Sequence, residues 1–137
     1  VDKAIEACKA RGAKRGLLLP VSAPFHSSLL KPAAERLAER LQSVAVVAPV
    51  ITVIHNVDLS ASATPDAVRS ALARQAASPV RWADTIRHFE AAGVTHIAEC
   101  GPGKVLAGMV KRIAPEIESV ALTDPAAIAS LLATLKG

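Results

Sequence analysis

A parallel α/β fold is predicted by three features of this 137-residue sequence. Compact apolar runs alternate with segments of helical periodicity, the connections between runs are too long for hairpins, and the core material is aliphatic. With two Phe, one Trp and no Tyr among 51% hydrophobic residues, Ala, Val, Leu and Ile must fill the interior. That mixture suits Val-rich strands covered by Ala- and Leu-rich helices, and it supplies enough apolar surface to argue against disorder.

Ala4, Ile5, Ala7 and Cys8 recur at helical spacing over residues 2–11, and Gly12 follows as a cap able to take positive φ. Residues 16–21 form an apolar run interrupted by Pro20, which predicts a strand at a sheet edge. The pattern then stops at Ser22-Ala23-Pro24-Phe25-His26-Ser27-Ser28. Leu29, Leu30, Ala33, Ala34, Leu37, Ala38 and Leu41 mark the next helix, with Pro32 in its first turn and Glu35, Arg36, Glu39 and Arg40 spaced for ion pairs on the other face. Residues 44–47 read as extended, and 50–54 form a β-branched run, the strongest strand signal in the chain.

Thr64-Pro65 and Ser78-Pro79 each place a capping residue before a proline, predicting helices over 65–76 and 79–92, the second closed by Gly93. Residues 94–100 read as a strand. Gly101-Pro102-Gly103 turns it into a helix over 104–113, residues 118–122 form a last strand, and Asp124-Pro125 caps a terminal helix. Groups with chemical potential in open parallel sheets gather beyond the carboxyl ends of strands. His26, His55-Asn56 and Gly101 to Gly103 are all predicted to lie there.

The chain starts at Val1 inside an apparent amphipathic helix, so a piece of a longer protein is expected. No charge-free apolar run approaches the roughly 18 to 20 residues of a membrane span, and no basic-then-apolar start suggests a signal peptide. A cytoplasmic protein without membrane association is the expectation. Cys8 and Cys100 are expected to be buried reduced thiols, and the four histidines show no metal-ligand spacing, so neither metal nor cofactor is expected. The net charge of +4 and pI near 9.4 permit an acidic partner. Nucleic acid is disfavoured because the basic residues are scattered and aromatics for base stacking are nearly absent.

His26 stands in a proline-containing loop among the hydroxyls of Ser22, Ser27 and Ser28. Imidazole is the natural general base near neutrality, although position alone serves an incidental loop histidine as well. The nucleophile elbow Gly-x-Ser-x-Gly is absent: Gly12 and Gly16 have the spacing, but Lys14 lies between them. Gly101-Pro102-Gly103-Lys104 lacks the remaining glycine and the hydroxyl residue of a phosphate loop, Ala98 and Val105 standing in those places. A tight strand-to-helix turn is the reading, with Lys104 available to an anion near the helix start.

Four segments together resemble the bacterial malonyl-CoA:acyl-carrier-protein transacylase family, in order and spacing. They are Leu19-Pro20-Val21-Ser22-Ala23-Pro24-Phe25-His26-Ser27, Asn56-Val57-Asp58, Arg74-Gln75 before Ser78-Pro79-Val80-Arg81-Trp82, and Glu99-Cys100-Gly101-Pro102-Gly103-Lys104-Val105-Leu106. The resemblance covers essentially the whole chain and matches about the C-terminal half of the family. It implies the C-terminal part of an α/β-hydrolase-like parallel-sheet subdomain over 22–137, and the end of an inserted ferredoxin-like subdomain over 1–21.

The activity implied is transfer of malonyl from malonyl-CoA, through an acyl-serine in a Gly-His-Ser-Leu-Gly elbow, to the phosphopantetheine thiol of an acidic acyl carrier protein in fatty-acid synthesis. By the same resemblance His26 is the general base, Gln75 orients it through a carbonyl in place of the usual carboxylate, and Phe25 favours malonyl over its α-methyl analogue. The serine, the oxyanion-hole glutamine motif and the arginine for the malonyl carboxylate belong to the other half, so this chain is expected to be inactive alone and marginal in independent folding. The full-length protein is expected to be a monomer. Two alternatives remain open: an acyltransferase domain of a polyketide synthase, and a non-catalytic module docking an acidic protein.

Overall fold

The computed structural model describes residues 1–18 and 20–136. Leu19, inside the predicted strand 16–21, and Gly137 lie outside the described residues. Six α-helices and two strands follow in the order α1 (Asp2–Ala10), α2 (Lys31–Gln42), α3 (Pro65–Ala76), α4 (Trp82–Ala91), β1 (His96–Cys100), α5 (Val105–Ile113), β2 (Glu118–Leu122) and α6 (Pro125–Lys136). A 3₁₀ turn over Ser28–Leu30 leads into α2. No helix among the described residues is long and apolar enough to cross a membrane.

The two strands pair in parallel, His96 opposite Glu118 and Cys100 opposite Leu122, with α5 as the crossover. A mixed α/β fold with a parallel sheet is therefore present, as alternation of elements predicts. Ile86 of α4, Val110 of α5, Ala114 and Ile117 form the core, with Trp82, Phe89, Ile97 and Ile113 packed around it. A second contact joins α2 to α3, where Leu41 and Ala71 are buried. Ala71 is fully enclosed, which lets the helix backbones approach closely. Arg69 of α3 then closes the end of α2 by donating from Nε to the Leu41 carbonyl and from Nη2 to that of Val44, both at 3.0 Å. The Leu41 carbonyl also accepts from the Val44 amide at 3.2 Å, and a cation at a helix C-terminus is favourably placed.

Capping chemistry explains the boundaries that match the sequence reading. Thr64 Oγ1 accepts from the Ala67 amide at 3.3 Å, with Pro65 opening the helix. Asp124 Oδ1 does the same for Ala127 at 2.9 Å. Gly12, with φ of 93°, ends α1 in a region closed to most L-residues. Thr64→Ala in the intact protein is expected to cost about 1 kcal/mol, read as a fall in melting temperature.

Five expectations are corrected. Neither 16–21, where described, nor 50–54 is a strand; an isolated antiparallel bridge, Ile54 to Ala61, is all that forms. Strand propensity needs a ladder neighbour, and these segments have none among the described residues, leaving Leu17, Val50 and Ile51 exposed. His26 and His55 consequently follow irregular segments rather than strands. Residues 78–81 are outside α4, which starts at Trp82, because the Arg81 amide is held non-helically by the Asn56 carbonyl at 2.9 Å. Cys8 and Cys100 are free thiols but exposed, Cys8 because α1 buries nothing. Among the described residues the acidic and basic side chains of 35–40 make no ion pair, and Arg40 bonds Ser43 Oγ instead.

Candidate active site

The loop over residues 23–27 is closed by its own bonds: the Phe25 amide donates to the Ala23 carbonyl at 2.9 Å, and Ser27 Oγ to that of Pro24 at 2.7 Å. His26 sits at its apex with φ of 57°, in the left-handed region. That conformation costs a non-glycine residue roughly 1 to 2 kcal/mol and is found where surrounding structure enforces it, often at functional sites. The ring is exposed, and its Nδ1 lies 2.9 Å from the main-chain oxygen of Gln75, 49 positions along the chain.

A carbonyl oxygen can only accept, so Nδ1 donates and the neutral ring keeps its lone pair on Nε2. Gln75 is the penultimate residue of α3, and its carbonyl is among the last-turn acceptors that the helix cannot satisfy. Pro79 forbids continuation, which keeps that oxygen available. The negative end of the helix dipole also faces an imidazolium formed there. The geometry thus provides an oriented base with a free Nε2 and a partial negative charge behind it.

The side chain of Gln75 turns the other way, its Nε2 lying 3.5 Å from Nδ1 of His55. His55 is 5% exposed, and its Nε2 is buried without a hydrogen-bond partner among the described residues. One residue further back, Arg74 donates to Asp58 Oδ2. Asp58 Oδ1 accepts from the Ser60 hydroxyl at 2.7 Å and from its amide at 3.0 Å. The two Ser60 bonds lower the Asp58 pKa from 3.8 to about 2 against the opposing effect of desolvation, with smaller contributions from the Arg74 bond and charge. A depressed carboxyl stabilises the fold above its unfolded pKa, and that contribution is lost as pH falls through about 2. Asp58→Asn is therefore expected to flatten the acid limb of a stability profile between about pH 4 and pH 2, the variant lying below the parent at neutral pH and converging on it below about pH 2.

His26 and Gln75 are thus brought together, while Phe25 projects as a 61% exposed side chain. Sequence reasoning missed the pairing of Asp58 with Arg74, although the Asp-x-Ser spacing of Asp58 and Ser60 is a turn signal. It also missed Glu99, whose Oε2 accepts from the Ala107 amide at 2.8 Å. That carboxylate occupies the start of α5, where Lys104 was expected to meet an outside anion.

No family model matches the chain. The malonyl CoA-acyl carrier protein transacylase of Escherichia coli K12 is 47% identical over 132 residues, 96% of this chain and 43% of the relative. A crystal structure of the acyl-carrier-protein S-malonyltransferase of Burkholderia pseudomallei is 52% identical with a TM-score of 0.90, over 96% of this chain and 43% of that one. A holo complex of a type II polyketide-synthase acyl carrier protein with its malonyl-transacylase includes a chain 41% identical with a TM-score of 0.91, over 97% of this chain and 43% of the other. The chain spans less than half the length of the relatives it matches, and over that share it is similar to malonyl CoA-acyl carrier protein transacylases.

Proposed function

We propose that the whole protein of which these residues form part transfers malonyl from malonyl-CoA to the phosphopantetheine thiol of an acidic acyl carrier protein, with His26 as general base. The observation that carries the reading is the bond from His26 Nδ1 to the Gln75 carbonyl, which leaves Nε2 as the proton acceptor. His26 takes the proton of a serine supplied by the share of the family's length that this chain does not span. It returns that proton to the departing CoA thiolate, takes one from the carrier thiol, and gives it back to the serine. A main-chain carbonyl holds the ring in its tautomer without the full charge of a carboxylate. Phe25, beside the base, narrows the acyl pocket against an α-methyl group, a discrimination of about 1 to 3 kcal/mol.

Residues 1–21 are assigned to the end of the inserted ferredoxin-like subdomain and 22–137 to the large subdomain, the base lying where the two meet. The compartment is the cytoplasm, and the whole protein works as a monomer. The carrier belongs to fatty-acid synthesis; the similarity to a transacylase bound to a polyketide carrier makes a polyketide carrier the second reading.

The test is malonyl transfer from malonyl-CoA to a holo carrier protein by the intact polypeptide. Transfer that labels a serine outside these residues is expected. Residues 1–137 alone should transfer nothing and should not melt cooperatively, given the exposure of Leu17, Val50 and Ile51. Transfer by those residues alone would overturn the division of labour. A second assay with polyketide and fatty-acid carriers side by side separates the two readings.

A further inference from the structure

We propose that the loop from His55 to Ser60 is the positioning device for His26: by holding Arg74 through Asp58 and Gln75 through His55, it fixes the end of α3 and the main-chain oxygen that orients the imidazole. This rests on His26 being the base.

The loop is first closed on itself. The His55 amide donates to the Ser60 carbonyl at 3.0 Å, the Leu59 amide to the His55 carbonyl at 2.9 Å, and Asp58 Oδ1 takes both donors of Ser60. Leu59 pays for the tight path with φ of 60°. The closed loop then meets the following segment at three points: Asp58 on Arg74, His55 against Gln75, and the Asn56 carbonyl on the Arg81 amide at 2.9 Å. These points bracket the one carbonyl that His26 uses.

A helix end frays unless tied, and α3 ends one residue beyond Gln75. Movement of that carbonyl by an ångström is enough to misalign a base, an effect on the order of 100-fold in rate. With Gln75 Nε2 donating to Nδ1, the His55 ring carries its proton on Nε2, which is buried without an acceptor among the described residues. Local stability alone does not explain a buried donor left unpaired, whereas a ring retained for its other contact does. Asp58 stays ionised throughout the neutral range, so the tie to Arg74 persists wherever a histidine base works.

The test uses the intact transacylase. Asp58→Asn and His55→Leu are each expected to lower kcat by about 10- to 100-fold with KM for malonyl-CoA nearly unchanged. The acid limb of kcat/KM should move to lower pH, because a ring without its acceptor and the helix end behind it is less readily protonated. Asp58→Glu should recover part of the rate. In a His26→Ala background, Asp58→Asn should add no further loss, since it acts only through the ring. A folded Asp58→Asn protein with unchanged kcat and pH limb would overturn the proposal, as would an equal loss in the His26→Ala background. If Asp58→Asn does not fold, His55→Gln carries the same measurements. Full activity of His26→Ala would instead remove the base reading, and the positioning role with it.

Discussion

His26→Ala in the intact protein is expected to lower malonyl transfer by about 100- to 10,000-fold, the range by which positioned general bases contribute. Under the proposed mechanism the loss should appear in both halves of the reaction, acylation by malonyl-CoA and deacylation by the carrier thiol, since that mechanism routes each proton transfer through one imidazole. Single-turnover measurement of each half separates them. The fold should be unaffected: the ring is exposed, and its one described bond is to a carbonyl that can turn to water. His26→Gly adds a control, since glycine adopts φ of 57° without strain and should match Ala in activity while stabilising the loop slightly. A rate within a few-fold of the parent in both variants would exclude His26 from the chemistry.

Ile86→Ala is expected to be the most destabilising of the substitutions considered, at about 2 to 5 kcal/mol. Ile86 is fully buried where α4 meets Val110, Ala114 and Ile117, with Trp82 and Phe89 from its own helix and Ile97 from β1 around it. Removing three carbons there opens a cavity that these elements cannot fill without moving the helix that follows the Arg81 contact. Ile86→Val should cost only about 0.5 to 1.5 kcal/mol. Urea unfolding of the intact protein should show a lower midpoint with an unchanged slope. Equal midpoints for Ala and the parent would mean that α4 is not part of the cooperative core.

Elements specified by local chemistry were legible before the structure. Thr64-Pro65 and Asp124-Pro125 carry their caps within three residues, and the strand 118–122 is bounded by its own pattern. The misread strand and helix boundaries depend on distant partners. The run at 50–54 has the composition of a strand but no ladder among the described residues beyond the single bridge of Ile54 to Ala61. Ser78-Pro79 carries a start signal that is overridden because Arg81 is bound by Asn56. At the site, resemblance pointed to His26 and Gln75, but no residue pattern shows that Arg74 reaches across 16 positions to Asp58, or that His55 backs onto Gln75. Those are consequences of packing α3 against an irregular loop.

The partner of His26 is an atom that every residue type carries. No amino-acid substitution at position 75 deletes a peptide oxygen, so exchange there leaves the acceptor atom in place as long as the helix ends where it does. Under the positioning proposal, selection on the orientation of His26 would fall on codons 55, 58 and 74, whose products make no described bond to the ring. A survey of inactivating substitutions should find hits there, with position 75 sensitive only through the side-chain contact to His55.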